Sequence, residues 1–368
     1  MIDVLLVLNC GSSSLKFEVF DHATLAKRAK GKVTGIGTEA RLSASIGGAR
    51  VDRPLSAHDH EAAMGAVVDL IDRYDDGWRT VATVHRVVHG GGRFVEPVIV
   101  TPEILAALEA LNPLAPLHQP YNLAGIAASG RLAGHAPDIA CFDTAFHAGH
   151  GELFHTFALE AALREKGIRR YGFHGISYEW IARVLAAERP ELAAGRVVVG
   201  HLGNGASLCA MKNGVSIDTT MGMTALDGLP MGTRTGSLDP GAVTYMMRGL
   251  GMTAEAIEET LYERSGLKGL SGISNDVRTL LESDNPRAAF ALDYYALKVA
   301  QHAAAMAVSM GGLDAFVFTG GIGENAAPVR DAILARLAFL PAFETLVIPA
   351  NEERMMAIHA KALLGEHA

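Results

Sequence analysis

Three cysteines in 368 residues, at positions 10, 141 and 209, are too few and too widely spaced for a disulfide framework. Each sits in an apolar run, as a buried, reduced thiol does, and a cytoplasmic protein is expected. Positive charge is also scarce. Thirty-two Lys and Arg against forty Asp and Glu leave a net charge of −8, and no basic run exceeds three residues. A polyanionic partner such as nucleic acid would meet mild repulsion, which argues against that class. Long uncharged apolar stretches are missing too: the longest, Ala288 to Met310, is interrupted by Lys298, Gln301 and His302. No membrane span is expected from it, and no signal peptide from an N-terminus that enters strand sequence without a basic region. What remains is the balance of a globular enzyme, 49% hydrophobic and 20% charged, with forty glycines as its one bias. The length suits two α/β domains with a cleft between them.

The glycines gather in turns that follow apolar strands. Val7 to Phe17 and Val199 to Leu208 read alike: apolar strand, small polar glycine turn, apolar strand. A third turn, Phe318 to Asn325, follows a strand and opens a helix-like run. Glycine beside Asn, Ser or His lets a backbone bend sharply and aim N–H groups at an anion, although one such turn alone is most often only a tight turn. Three in one chain point to a nucleotide held between two related halves.

Alternation and apolar runs predict strands at 2–8, 15–20 and 28–36, an antiparallel set, with further strands at 81–88 and 138–142. Helices are predicted from Glu61 to Arg73 and from Pro102 to Leu111, the second opened by Thr101 as N-cap and proline at the first helical position. The scheme repeats with strands at 196–201, 206–211, 214–219 and 315–319 and helices at 239–250, 253–263 and 286–310. Thr253 lacks the Glu that would complete a capping box. The pattern breaks at Ala148-Gly149-His150-Gly151, so the expected domains are 1–147 joined by 350–368, and 148–349. A strand at Leu346 to Ile348 and a tail helix from Asn351 are expected to close the first domain.

Polar residues at strand ends are the candidates for chemistry, because open α/β sheets bind their ligands there. Arg86 lies in a strand ending at Gly90-Gly91-Gly92, and is equally readable as the partner of a buried carboxylate. Asp143 ends the strand from Ile139 and reads also as a turn cap. His174, at the entry to a helix, reads also as a core histidine. Arg234 lies between glycines in Gly232-Thr233-Arg234-Thr235-Gly236, where it has little packing to do. His85 and His89 are four apart on a strand, not a helix, and do not make a zinc pair.

The matching stretches are Asn9 to Lys16, His85 to Gly91, Phe142 to His147, Arg170 to Gly175, His201 to Ser207, Gly232 to Arg234, Ser271 to Arg278 and Thr319 to Asn325. With these in order over nearly its whole length, the chain resembles the acetate kinases of the acetate and sugar kinase, heat-shock chaperone and actin superfamily. The resemblance implies two related domains of the actin-like ATPase type, a duplicated ribonuclease H-like fold with the active site in the interdomain cleft. It implies transfer of the γ-phosphoryl of ATP to a short-chain carboxylate, and the reverse reaction that forms ATP from ADP. It also implies Mg²⁺, for which Mn²⁺ can substitute, and a homodimer. By family position Arg86 and Arg234 flank the acceptor and the phosphoryl group, while His174 donates a hydrogen bond in the transition state. Asn9 and Glu352 hold the metal, and Lys16 lies near the phosphates. His201, Leu202, Gly203, Asn204 and Gly205 cradle phosphate. Asp276, Val277, Arg278, Gly321, Ile322, Gly323, Glu324 and Asn325 enclose the adenosine. Asp143 is the family's proton acceptor, but a carboxylic acid is already ionised at neutral pH, so Asp143 is read here as an orienter of Arg86, Arg234 or a metal-bound water.

Two departures stand out. Family Phe-His-Gly-Thr-Ser-His is Phe173-His174-Gly175-Ile176-Ser177-Tyr178 here, and a usual proline is Ala225. That proline belongs, with positions matching Val88, Leu117 and Phe173, to the apolar pocket for the substrate's methyl, so alanine should widen it. Acetate kinase is therefore the first reading and propionate kinase the second. A nucleotide-sensing module without catalysis is opposed by the presence of Arg86, His174 and Arg234, and a sugar kinase by two arginines better suited to an anion than to a polyol.

Overall fold

The computed structural model describes residues 1–74, 77–132 and 136–366. The chain forms two compact units, Met1–Ala145 with Asn351–Ala368, and Phe146–Ala350.

The first unit is built on eight strands: β1 (Ile2–Cys10), β2 (Ser14–Asp21), β3 (Lys27–Thr34), β4 (Arg41–Ile46), β5 (Ala49–Pro54), β6 (Trp78–Val87), β7 (Val98–Ile99) and β8 (Asp138–Phe142). Their order across the sheet is β5-β4-β3-β2-β1-β6-β8-β7. β1 pairs antiparallel with β2 and parallel with β6, and β6 runs parallel to β8. Val4 to Leu8 are all buried, the unbroken apolar run expected of a central strand covered on both faces. The helix His60–Tyr74 places Met64, Val67 and Leu70 in a core shared with Leu6, Leu8, Phe17 and Leu42. A second helix, Gln119–Leu132, approaches so closely that a Cβ on Gly125 would lie 2.5 Å from Cys10 Sγ.

The second unit has five strands: β9 (Arg196–Leu202), β10 (Ala206–Lys212), β11 (Val215–Thr219), β12 (Ala315–Thr319) and β13 (Glu344–Val347). Their order is β11-β10-β9-β12-β13, with β9, β10 and β11 antiparallel and β12 parallel to both β9 and β13, so the strand expected at Leu346 to Ile348 to close the first domain instead extends the second unit's sheet through its ladder with β12. Three antiparallel strands followed by two parallel ones is also the order β3-β2-β1-β6-β8, so the two units repeat one ribonuclease H-like plan. The helix Pro286–Met310 starts on the Asn285 side chain, which accepts from Arg287 N at 2.9 Å, and stops at left-handed Gly311. Thr253 caps Ala254–Glu263 by accepting from Ala256 N at 3.2 Å, without the Glu of a capping box. Among the described residues no helix is long and apolar enough to cross a membrane. All three cysteines are buried thiols outside any disulfide.

Sequence patterning did not anticipate the β4–β5 hairpin or the helix Gln119–Leu132, whereas the helix Gly175–Glu188 opens directly after His174, where a helix entry was expected. The hairpin has a readable signal, since Gly47-Gly48, both at positive φ, supply the two-residue turn that joins paired Ile46 and Ala49.

Candidate active site residues in the two units

In the first unit the polar candidates stand at the carboxyl ends of parallel strands. Asn9 is near the end of β1, Arg86 near the end of β6, and Asp143 directly follows β8. Asp143 grips Arg86 with both oxygens, accepting from Nε at 2.9 Å and from Nη2 at 2.5 Å. Arg86 Nη1 reaches Asn9 Oδ1 at 3.4 Å. Burial opposes the charge on Arg86, but the fields of Asp143, Glu352 and Glu353 outweigh it and raise its pKa further. Of the three groups that Asp143 was expected to orient, Arg86 is the one it holds in this bidentate pair.

Two side chains that the sequence did not single out fix these strand ends. Asn122 accepts from Val88 N at 3.0 Å and donates to Cys10 O at 2.6 Å, tying β6 to β1. Gln119, one turn earlier, accepts from His89 N and donates to His89 O, each at 3.0 Å. Their three-residue spacing puts both on one buried helix face, the only trace they leave in the sequence. His85 Nε2 lies 2.8 Å from Asp138 Oδ1 and 3.1 Å from Ser129 Oγ, so this histidine belongs to the scaffold. Among the described residues no group of three or more His, Cys, Asp or Glu is arranged to hold a metal.

Glu352, the first residue of the helix Glu352–Glu366, has a buried Oε1 without a hydrogen-bond partner. Burial, and then repulsion from Asp143 and Glu353, push its carboxyl up to about 7 against the opposing pull of Arg86 and Lys16. A buried carboxylate in want of positive charge is the environment that a divalent cation satisfies, so Glu352, with Asn9 as a neutral oxygen donor, fits a hard metal ion. Lys16 is exposed on β2 opposite Asn9 and opens on a cavity of about 530 Å³ over β2 to β5, which holds no other expected residue. Val88 is buried, and Leu117 is half-buried just before the Gln119 helix.

In the second unit His174 takes the left-handed conformation, φ 59°, immediately before the helix Gly175–Glu188. Its ring stacks on that of His201 with centroids 4.3 Å apart. The turn from β9 to β10 carries Gly203, Asn204 and Gly205, closed by Gly203 N donating to Gly205 O at 3.0 Å. A Cβ on Gly205 would lie 3.3 Å from His174 Nε2 and 3.9 Å from Arg234 Nη1, so both nitrogens converge on that glycine. Arg234 Nη1 donates to Ala225 O at 3.1 Å, which joins the expected pocket position to the arginine. Gly232 N donates to Asn204 O at 3.1 Å, and a Cβ on Gly232 would meet Asn204 Oδ1 at 2.0 Å; only glycine permits this approach. Phe173 is buried beside His174, its carbonyl 3.0 Å from His147 Nε2.

Beside the same turn lies a cavity of about 490 Å³ lined by Gly203, Asn204, Asp276, Val277, Arg278, Gly321, Ile322 and Asn325. Asn275, Leu281, Ala326 and Pro328 complete its wall and were not anticipated. Leu202 and Gly323 are buried and Glu324 is turned inward, its Oε1 accepting from Gly320 N and Ala350 N at 3.0 Å each, so these three support the wall without lining it. Asp276 both lines the cavity and caps the helix Val277–Leu281, accepting from Thr279 N at 2.8 Å.

Comparison with known proteins identifies the family. Residues 4–357 match the model of the acetokinase family. The chain is 48% identical over 348 residues to an acetate kinase of Rhodopseudomonas palustris, covering 92% of this chain and 87% of that protein. It is 44% identical over 394 residues to an acetate kinase of Nitrobacter hamburgensis, covering 99% and 96%. Among solved structures, Porphyromonas gingivalis acetate kinase superposes with a TM-score of 0.88 at 34% identity, covering 98% of this chain and all of that one. A propionate kinase from Francisella tularensis gives 0.90 at 33% identity, covering 97% and 99%. The chain belongs to the acetokinase family.

Proposed function

We propose that the protein is an acetate kinase, which transfers the γ-phosphoryl group of ATP to acetate and runs in reverse to make ATP from acetyl phosphate and ADP. The observation that carries this reading is the convergence of His174 Nε2 and Arg234 Nη1 on Gly205, in a glycine turn that opens on the 490 Å³ cavity. A phosphoryl group in flight spreads negative charge over its equatorial oxygens, and N–H donors held in advance at that place lower the barrier. His174 and Arg234 are assigned to those oxygens, and Arg86, aimed by Asp143, to the carboxylate of the acceptor. The cavity takes the adenosine of ATP or ADP. Asn9 and Glu352 would hold Mg²⁺ or Mn²⁺, which when bound neutralises phosphate charge; the unpartnered Glu352 oxygen supports this assignment. Asp143 does not serve as a base, because acetate arrives ionised and both carboxylate oxygens are engaged by Arg86.

A hydroxylamine trap for acyl phosphate, run with ATP and Mg²⁺ against acetate, propionate and butyrate in turn, tests the reading. Acetyl hydroxamate is expected as a main product, and no hydroxamate from any acid would refute it. Propionate is the second acceptor to weigh, on the strength of Ala225 where the family usually has proline. The working protein is proposed to be a cytoplasmic homodimer. The helix Pro240–Arg248 buries none of its side chains and, with flanking Leu238 and Leu250, exposes Tyr245 and Met247. Light scattering should return about twice the 38.8 kDa chain mass, and a monomer at assay concentration would refute the dimer.

A further inference from the structure

The reading above needs His174 to present a proton on Nε2, the nitrogen that faces Gly205 and Arg234. A neutral imidazole carries one proton, and the partner of its other nitrogen decides which nitrogen has it. That partner is Ser207 Oγ, 2.8 Å from His174 Nδ1. Ser207 in turn lies 2.5 Å from the hydroxyl of Tyr178. All three side chains are more than nine-tenths buried. The arrangement is local in origin: Tyr178 follows His174 by one helical turn, Tyr178 N donating to His174 O at 3.1 Å, so both side chains reach the same residue of β10.

We infer that Tyr178 is a positioning residue for phosphoryl transfer: through Ser207 it sets the tautomer of His174 and keeps the Nε2 proton directed at the reacting phosphoryl group. Serine has one hydroxyl proton to give, so the chain can be ordered in either direction. A phenol is a far better donor than an alcohol, and imidazole nitrogen a far better acceptor than phenol oxygen. The favoured order therefore runs from Tyr178 O–H to Ser207 Oγ, and from Ser207 O–H to His174 Nδ1, leaving the proton on Nε2. The neighbouring ring repeats the device. His201 Nδ1 lies 2.8 Å from Ser177 Oγ, and a Cβ on Gly203 would sit 3.9 Å from its Nε2. Two stacked rings thus face one glycine turn, each held from behind by a serine. This role rests on the reading of His174 as a donor to the transferring group.

The test combines nitrogen-15 NMR of the histidine rings in the full-length protein at neutral pH with steady-state kinetics. His174 is assigned by the signal lost in His174→Gln. Wild type is expected to show the Nε2–H form. Tyr178→Phe, which removes one oxygen, is expected to populate the Nδ1–H form and to lower kcat about tenfold, the worth of one hydrogen bond, with KM for acetate and ATP within about twofold. An Nδ1–H ring in wild type overturns the inference. So does a change of tautomer without a fall in kcat, or a fall in kcat without a change of tautomer. His174→Gln keeps the two claims apart. If it retains kcat within a few-fold, the transition-state role of His174 fails and the inference falls with it; if it loses activity while Tyr178→Phe leaves the tautomer unmoved, only the inference falls.

Discussion

Acid should destabilise the second unit through one buried histidine pair. His147 is 1% exposed, its Nε2 3.0 Å from Phe173 O and its Nδ1 2.8 Å from Ser216 Oγ. A carbonyl can only accept, so Nε2 carries the proton and Nδ1 accepts from Ser216, and a second proton on Nδ1 would force the Ser216 hydroxyl to turn its own proton away. His150 Nε2 lies 2.7 Å from the same Ser216 oxygen. Burial lowers His147 from 6.5 to about 4, while burial and then the fields of His147, Arg170 and Arg169 lower His150 to about 3. Both histidines are therefore neutral when folded and protonate more readily when unfolded. Between pH 6.5 and 4 the unfolded chain binds the extra proton, so stability is intact above that window and falls as pH drops through it. At about 1.4 kcal/mol per pH unit, His147 alone accounts for about 3 kcal/mol. His150 shares Ser216, so its contribution does not simply add.

The assay is denaturant unfolding, followed by the near-ultraviolet signal, of wild type and His147→Gln at pH 7.5 and pH 4.5. Glutamine keeps an N–H for the Phe173 carbonyl but does not titrate. The variant should be less stable than wild type by about 1–2 kcal/mol at pH 7.5, having lost the acceptor for Ser216. At pH 4.5 the order should reverse, with the variant the more stable by about 1 kcal/mol, because two pH units below 6.5 cost wild type about 2.8 kcal/mol that the non-titrating glutamine does not lose. A stability difference of the same sign and size at both pH values would refute the reasoning.

Arg234→Ala should lower kcat for acyl phosphate formation by about three orders of magnitude, the usual loss of one charge partner in phosphoryl transfer; steady-state kinetics within a few-fold of wild type would remove it from the mechanism. Gly125→Ala would press a methyl to within 2.5 Å of Cys10 Sγ and should cost about 1–3 kcal/mol of stability, read as a lowered melting temperature. Ala225→Pro keeps the carbonyl that accepts from Arg234. If this position sets acyl-chain length, the substitution shifts the kcat/KM ratio of acetate over propionate toward acetate by a few-fold, the worth of about one methylene; an unchanged ratio would show that chain length is set elsewhere.

The central strands β1, β9 and β12 were legible because their middles are covered on both faces and must be apolar, and the helix Pro286–Met310 because Asn285, Pro286 and Gly311 mark its ends. The Gln119–Leu132 helix was not, because it carries glycine at 125 and 130 and buries Gln119, Asn122 and Ser129, which spoils the apolar stripe that periodicity seeks. The burial of those polar groups is purposeful: the first two tie together the strand ends that carry Asn9 and Arg86. The same limit applies within the candidate site. Motif resemblance reaches single positions, but whether Asp143 acts on Arg86, Arg234 or a water is a question of contact between residues 57 apart, and no local pattern encodes it. Tyr178 is the reverse case. It looks like a lost histidine when the motif is compared, yet its four-residue spacing from His174 fixes a shared helix face, and only the position of Ser207 on β10 turns that spacing into a hydrogen-bonded chain. A departure from a family motif thus carries chemistry when the new side chain can still deliver the proton that its place in the chain requires.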